Sequence, residues 1–168
     1  MTTIGFSTKK NNILSRIIRA LTHSKFSHCW IRYEHPLYKM DIVVEAGVTG
    51  IIELPYLHIL RENHPVLELV PPTGINIEDG MPDVGVMLGT AYDYASLFGR
   101  VIVSIAKWFG RKIKNPLGSP KQDCCVENVL RCLAKADKRL AELDPEVESP
   151  ESLFERLQAF GWIQLGKT

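Results

Sequence analysis

Phe26-Ser27-His28-Cys29-Trp30-Ile31 has the aromatic and branched residues of a buried strand and carries a histidine on what would be a rigid backbone. Much further along, Cys124-Cys125-Val126-Glu127-Asn128-Val129 reads as the first turn of a helix that carries thiols. A thiol at a helix N-terminus feels the positive end of the macrodipole and the unpaired amides there, and both favour thiolate. A histidine on a strand can take or hold the proton. The two segments together propose a thiol nucleophile and its base.

Working outward from the histidine strand, Ile4-Gly5-Phe6 is a short strand candidate. Ile13, Leu14, Ile17, Ile18 and Leu21 then recur at helical spacing with Arg16 and Arg19 between them, which predicts an amphipathic helix. Residues 26–33, 42–46, 50–54 and 66–70 are strand-like, with Gly47-Val48-Thr49-Gly50 as a turn and Pro71-Pro72 ending the last run; these four segments predict a small antiparallel sheet. After Pro82 the pattern becomes helical over 84–88, 94–108, 124–143 and 150–160. Ser149 followed by Pro150 is an N-cap with proline at the first helical position. Residues 112–122, with Pro116, Gly118 and Pro120, are the expected long loop. Strands followed by a run of helices predict an α+β fold in a single domain over 1–168.

Composition narrows the functional classes. Hydrophobic residues make up 45% and charged residues 23%, and the net charge of +1 gives no global attraction to nucleic acid. The N-terminus has no apolar stretch of signal-peptide length, and the run at 101–106 is too short to span a bilayer. A soluble, cytoplasmic protein is the expectation. Four cysteines, two of them adjacent, do not form a disulfide framework, and reduced thiols are the simpler reading. His23, His28, Cys29, Cys124, Cys125 and Cys132 lack C-x-x-C or H-x-x-x-H spacing, so no metal site is expected. No glycine loop for a nucleotide is present, and no cofactor is expected.

In order along the chain, FSHCWI at 26–31 behind an amphipathic helix, VEAGV at 44–48, GTAYDYASLFG at 89–99, CCVENV at 124–129 and SPESL at 149–153 resemble the circularly permuted branch of the NlpC superfamily of papain-like cysteine peptidases and amidases. That branch has bacterial and phage members and counts the lecithin retinol acyltransferases among its relatives. The resemblance covers about residues 4–160, and the order of the motifs carries it more than any one of them. It implies a permuted papain-like fold, with a small antiparallel sheet packed against helices and the histidine strand ahead of the nucleophile helix. Aligning on Glu127 places the family cysteine at Cys125, with Val126 where serine or threonine is common, and leaves Cys124 as the alternative nucleophile. Glu45 falls where relatives carry the polar residue that orients the imidazole. Tyr92 matches a tyrosine that lines the cleft and would support an oxyanion beside the Cys125 amide.

The function this resemblance implies is a cysteine amidase or peptidase acting on cell-wall peptides or related amides. Cys125 attacks the carbonyl, His28 protonates the leaving amine, and water resolves the acyl-enzyme. A cell-wall substrate and the absence of an export signal are reconciled if the protein is released by lysis or carried in a phage particle. The relatives also imply a lipid thioesterase or acyltransferase, and a catalytically idle binding or structural module of the same fold is the third reading. Taken singly, a helical cysteine is more often a small core residue, and His28 and Glu45 are more often structural or solvated; each draws its weight from the others. Cys132, seven residues after Cys125, is expected in the core. Arg100, Lys107, Arg111, Lys112 and Lys114 around Ile102, Ile105, Trp108 and Phe109 suit weak membrane contact through 100–114, although such stretches are more commonly helices with one buried and one solvated face.

A helix terminus contributes at most about 2 kcal/mol. Bringing a free thiol three units down needs about 4 kcal/mol. The histidine is therefore expected to supply the remainder.

Overall fold

Alternation of large apolar residues with small or polar ones builds the strands, and all six pair antiparallel in the order β4-β3-β2-β1-β5-β6. They are β1 (Thr3–Lys9), β2 (His28–Glu34), β3 (Asp41–Gly47), β4 (Gly50–Pro55), β5 (Asn63–Val70) and β6 (Ile163–Gln164). The structure, a computed structural model, describes residues 1–9, 12–22, 24–47, 49–91, 99, 102, 106, 109–111, 113, 124–145 and 147–165. The fold is mixed α+β. The sheet is larger than the four segments expected, because the short runs at Ile4 and Ile163 also pair into it.

Cross-strand register separates the two faces. Ile4, Phe6, Cys29, Ile31, Val44, Ala46, Ile51 and Leu69 lie on one face and join the main core with Val126, Val129 and Leu133 of the Cys125–Ala136 helix and Leu153 and Leu157 of the Pro150–Ala159 helix. Trp30 alternates with these residues onto the other face, where it packs with Val43 and Ile59. Gly5 is its cross-strand partner, and a Cβ at Gly5 would lie 2.1 Å from the indole, so the glycine in Ile4-Gly5-Phe6 makes room for the tryptophan in the histidine strand. The indole N–H donates to Ser7 Oγ at 3.1 Å.

The second face also holds a polar group that the sequence did not reveal. Glu68 is buried opposite Gly5 and accepts from Thr3 Oγ1 at 2.7 Å and from the Tyr56 hydroxyl, and Arg32 Nη2 pairs with it at 2.8 Å. This network seats the Tyr56–Glu62 helix, a short element hidden in sequence because its apolar residues run into the strands on both sides.

Two helical expectations change in detail. The expected 84–88 helix lies earlier, at Met81–Gly85, behind a 3-10 turn over Ile77–Gly80. The segment expected to be one helix over 124–143 breaks at Asp137, whose extended backbone ends the Cys125–Ala136 helix and whose carboxylate accepts from the Arg139 N–H at 3.0 Å to cap Lys138–Ala141. Ser149 caps Pro150–Ala159, accepting from the Ser152 N–H at 3.1 Å. Most of the 94–108 segment and of the 112–122 loop lies outside the described residues. No described helix is long and apolar enough to cross a membrane.

Candidate active site

The site forms where β2 begins and β3 ends, against the N-terminus of the Cys125–Ala136 helix. His28 opens β2, and Glu45 lies two residues before Gly47, which ends β3. Both side chains leave the strands on the Trp30 side, because Glu45 is the register partner of Trp30 and His28 lies two residues before it. Glu45 Oε2 accepts from His28 Nε2 at 2.7 Å, with side chains only 16% and 10% exposed. Gly47 leaves space for this carboxylate, since a Cβ there would lie 3.2 Å from Glu45 Oε1. The glycine of Val44-Glu45-Ala46-Gly47 thus has a physical reason in the site itself.

The thiol comes from the other direction. Cys124 is the N-cap of its helix and Cys125 the first helical residue. The Glu127 carboxylate reaches back to accept the Cys124 N–H at 2.7 Å, the acidic half of a capping box. This holds the first turn rigid, and the Cys125 thiol is hydrogen-bonded to the His28 ring. Nε2 is engaged by Glu45, which leaves Nδ1 as the nitrogen available to the sulfur. The remaining N–H groups of the turn have no acceptor within the helix and form a ready donor set for a developing oxyanion.

Electrostatics favours a charged ring. Burial works against the imidazolium, but hydrogen bonds to Cys125 and Glu45 and the negative charge of both outweigh it, and the His28 pKa is raised from 6.5 to about 10. Burial also works against the Glu45 carboxylate, yet its hydrogen bond to His28 and the charges of His28, Lys9 and His58 hold it below its ordinary 4.5. The signs follow directly. The His28 contribution to stability is complete below about pH 6.5 and is lost as pH rises through about 10, whereas the Glu45 contribution is complete above 4.5 and is lost as pH falls through its lowered value. Both are whole between pH 4.5 and 6.5. Glu45→Gln is therefore expected to lower stability by about 2 kcal/mol in that window and by much less above pH 10. It should also bring the His28 ring titration, followed by NMR, down toward neutrality. An equal loss of melting temperature at pH 6 and at alkaline pH would show that the pair is not ionic.

The other expected residues are placed as follows. The Cys124 thiol is buried at the cap, and none of the four cysteines is in a disulfide. Cys132 is fully buried one face-repeat behind Cys125, donates to the Ile77 carbonyl at 3.4 Å, and has its thiol pKa pushed up to about 12 by burial and by Asp83, so it is held protonated. Tyr92 lies outside the described residues, as does His23. The turn just before Tyr92 is fixed, because Ile51 N–H donates to Thr90 O at 3.1 Å and Gly89 N–H to Ile51 O at 2.8 Å. Gly50 is required there: its φ is +110°, and a Cβ would lie 2.3 Å from Thr90 O.

Three participants escaped the sequence reading. Lys9 and His58 bear on Glu45 through space, which no linear pattern signals. Asn128, one turn behind Cys125, is fully buried with neither amide atom partnered among the described residues. Its signal was a polar residue at a core-facing helical position, where an unpaired amide costs about 1–3 kcal/mol.

No family model matches the chain, and no curated protein matches it. Among solved structures, the metalloprotein YiiX from Escherichia coli O157:H7, DUF1105, is similar in fold with a TM-score of 0.68 at 17% identity, over 99% of this chain and 96% of that chain. The likeness is one of architecture over nearly the whole length of both chains. Among the described residues, no group of three or more His, Cys, Asp or Glu is placed to hold a metal ion.

Proposed function

We propose that the protein is a cysteine hydrolase with a permuted papain-like arrangement, in which Cys125 is the nucleophile, His28 its acid and base, and Glu45 the residue that orients the ring. The observation that carries this reading is the continuous chain of contacts from the Cys125 thiol to the His28 ring and on to Glu45 Oε2, at 2.7 Å for the last step. An imidazolium between a carboxylate and a helix-terminal sulfur is what thiolate attack requires. The thiolate adds to the substrate carbonyl, His28 gives its proton to the leaving group, and water then attacks the thioester with His28 as base. First-turn amides stabilise the oxyanion in both halves.

An amide is the leading substrate class, with cell-wall peptides in view. The second reading, an ester or thioester of a lipid, is favoured by a specific surface beside the site described below. One experiment separates them. The protein is incubated with amide and ester acyl donors, quenched in acid, and analysed for a mass increment on the peptide containing Cys125. A peptidyl increment supports the amidase, and a fatty acyl increment the lipid enzyme. If no donor acylates the protein and iodoacetamide alkylates Cys125 no faster than a model thiol near neutral pH, the fold serves as a binding or structural module and the hydrolase reading fails.

A further inference from the structure

The helix Ile13–Thr22 is anchored to the molecule through a buried serine. Ser15 is buried, and its Oγ lies 2.6 Å from the buried Ser27 Oγ, one residue before His28. Ile13 is 74% and Ile17 45% exposed, and Arg16, Arg19 and Ala20 are exposed with them. At 100° per residue, Arg19, Arg16, Ala20, Ile13 and Ile17 follow one another around an arc of about 160°, with arginines on one border and isoleucines on the other. Ser15 lies about 40° beyond Arg19, and the half-buried Ile18 faces away from this arc.

Charge says what this face meets. The first 33 residues hold Lys9, Lys10, Arg16, Arg19, Lys25 and Arg32 and no Asp or Glu, although the whole chain is nearly neutral. Lys9, Lys25 and Arg32 are paired, with Glu62, Glu151 and Asp41 and Glu68 respectively. Among the described residues, Arg16 and Arg19 pair with no carboxylate; Arg19 Nε donates to the Ser24 carbonyl at 3.4 Å. Cations bordering outward isoleucines fit an anionic lipid surface, into which the isoleucines insert while the arginines meet headgroups.

We infer that Ile13–Thr22 is an interfacial docking helix for anionic membranes, which seats the protein with the His28 end of the sheet next to the bilayer. Asn12 fixes the start of the helix, accepting the Ser15 N–H at 3.0 Å. The Ser15–Ser27 contact ties it to the strand that carries His28. The inference stands on this surface alone and does not depend on hydrolysis.

The test is co-sedimentation of the full chain with phosphatidylcholine vesicles with and without phosphatidylglycerol. Binding is expected only to the phosphatidylglycerol vesicles and should weaken with salt. A basic residue at a membrane surface contributes about 1 kcal/mol, so Arg16→Glu with Arg19→Glu should weaken partitioning by at least about tenfold. Ile13→Ser with Ile17→Ser should do the same, and both double variants change only exposed side chains, with near-UV circular dichroism as the check of folding. Cys125→Ala should bind as the parent does, which keeps a failure of docking apart from a failure of catalysis. Three results would overturn the inference: equal binding to both vesicle types or to neither, loss of binding only on Phe109→Ser with Ile113→Ser, or a dimer that Ile13→Ser with Ile17→Ser converts to monomer, which would assign the face to a second copy.

Discussion

Cys125→Ala is expected to abolish acylation of the protein and to reduce turnover by at least about 10⁴-fold, the scale on which nucleophile deletions fall, while the melting temperature stays close to that of the parent. Cys124→Ala should keep most of the activity. The difference comes from one residue of helix phase. Cys124 occupies the cap, with its N–H held by Glu127 at 2.7 Å, whereas Cys125 is the residue whose sulfur meets the His28 ring. Intact-mass measurement after acid quench, together with alkylation rates at several pH values, distinguishes the two thiols directly. His28→Ala should slow Cys125 alkylation most near neutral pH, because the imidazolium that favours thiolate is gone. The opposite pattern, with Cys124→Ala inactive and Cys125→Ala active, would transfer the nucleophile to the cap and break the proposed chain of contacts.

Gly80→Ala is expected to produce a large loss of stability. An added Cβ would lie 1.9 Å from the Cys132 carbonyl oxygen, in the middle of the helix that begins with Cys125. The obstacle is backbone, so no side-chain rotation relieves it. The helix and the Ile77–Gly80 turn must separate, at a cost of about 3 kcal/mol, or roughly 6–12 °C in melting temperature for a chain of this size. Since the whole helix moves as a unit, the Cys125 sulfur moves with it, and a displacement of about 1 Å at a reacting group can lower the rate about a hundredfold. Gly85→Ala is the matched control: a Cβ there meets nothing within 4 Å, so it should be neutral or stabilising by about 0.5–1 kcal/mol. Equal melting temperatures for the two variants would show that the close approach at Gly80 is not tight.

The readable parts of this fold were those with a strong local period. The histidine strand, the β3–β4 hairpin, the helix at Cys125 and the Ser149-capped helix each carry their signal within a few residues. Short elements between similar apolar runs, such as the Tyr56–Glu62 helix, and the break at Asp137 were not readable, because each depends on a contact made elsewhere: Tyr56 on the buried Glu68, and Asp137 on capping a second helix. In the site, Glu45 was legible through its place on the strand after His28. The pressure of Lys9 and His58 on its charge was not, since those residues are distant in sequence.

The helix at 13–22 shows the division most clearly. Its amphipathic spacing was evident from Ile13 and Ile17, yet that spacing says only that the helix has two faces. That Ile13 and Ile17 turn outward while Ser15 is buried against Ser27 was decided by the tertiary packing. By itself, the sequence determined the periodicities, the caps, the α+β order and a thiol and a histidine suited to each other's chemistry, because all of these are written in near-neighbour residues. Tertiary structure alone decided that the His28 ring lies between Glu45 and Cys125, that Gly5 and Gly80 must stay small, and that Ile13 and Ile17 meet solvent, because each depends on segments that only the folded chain brings together.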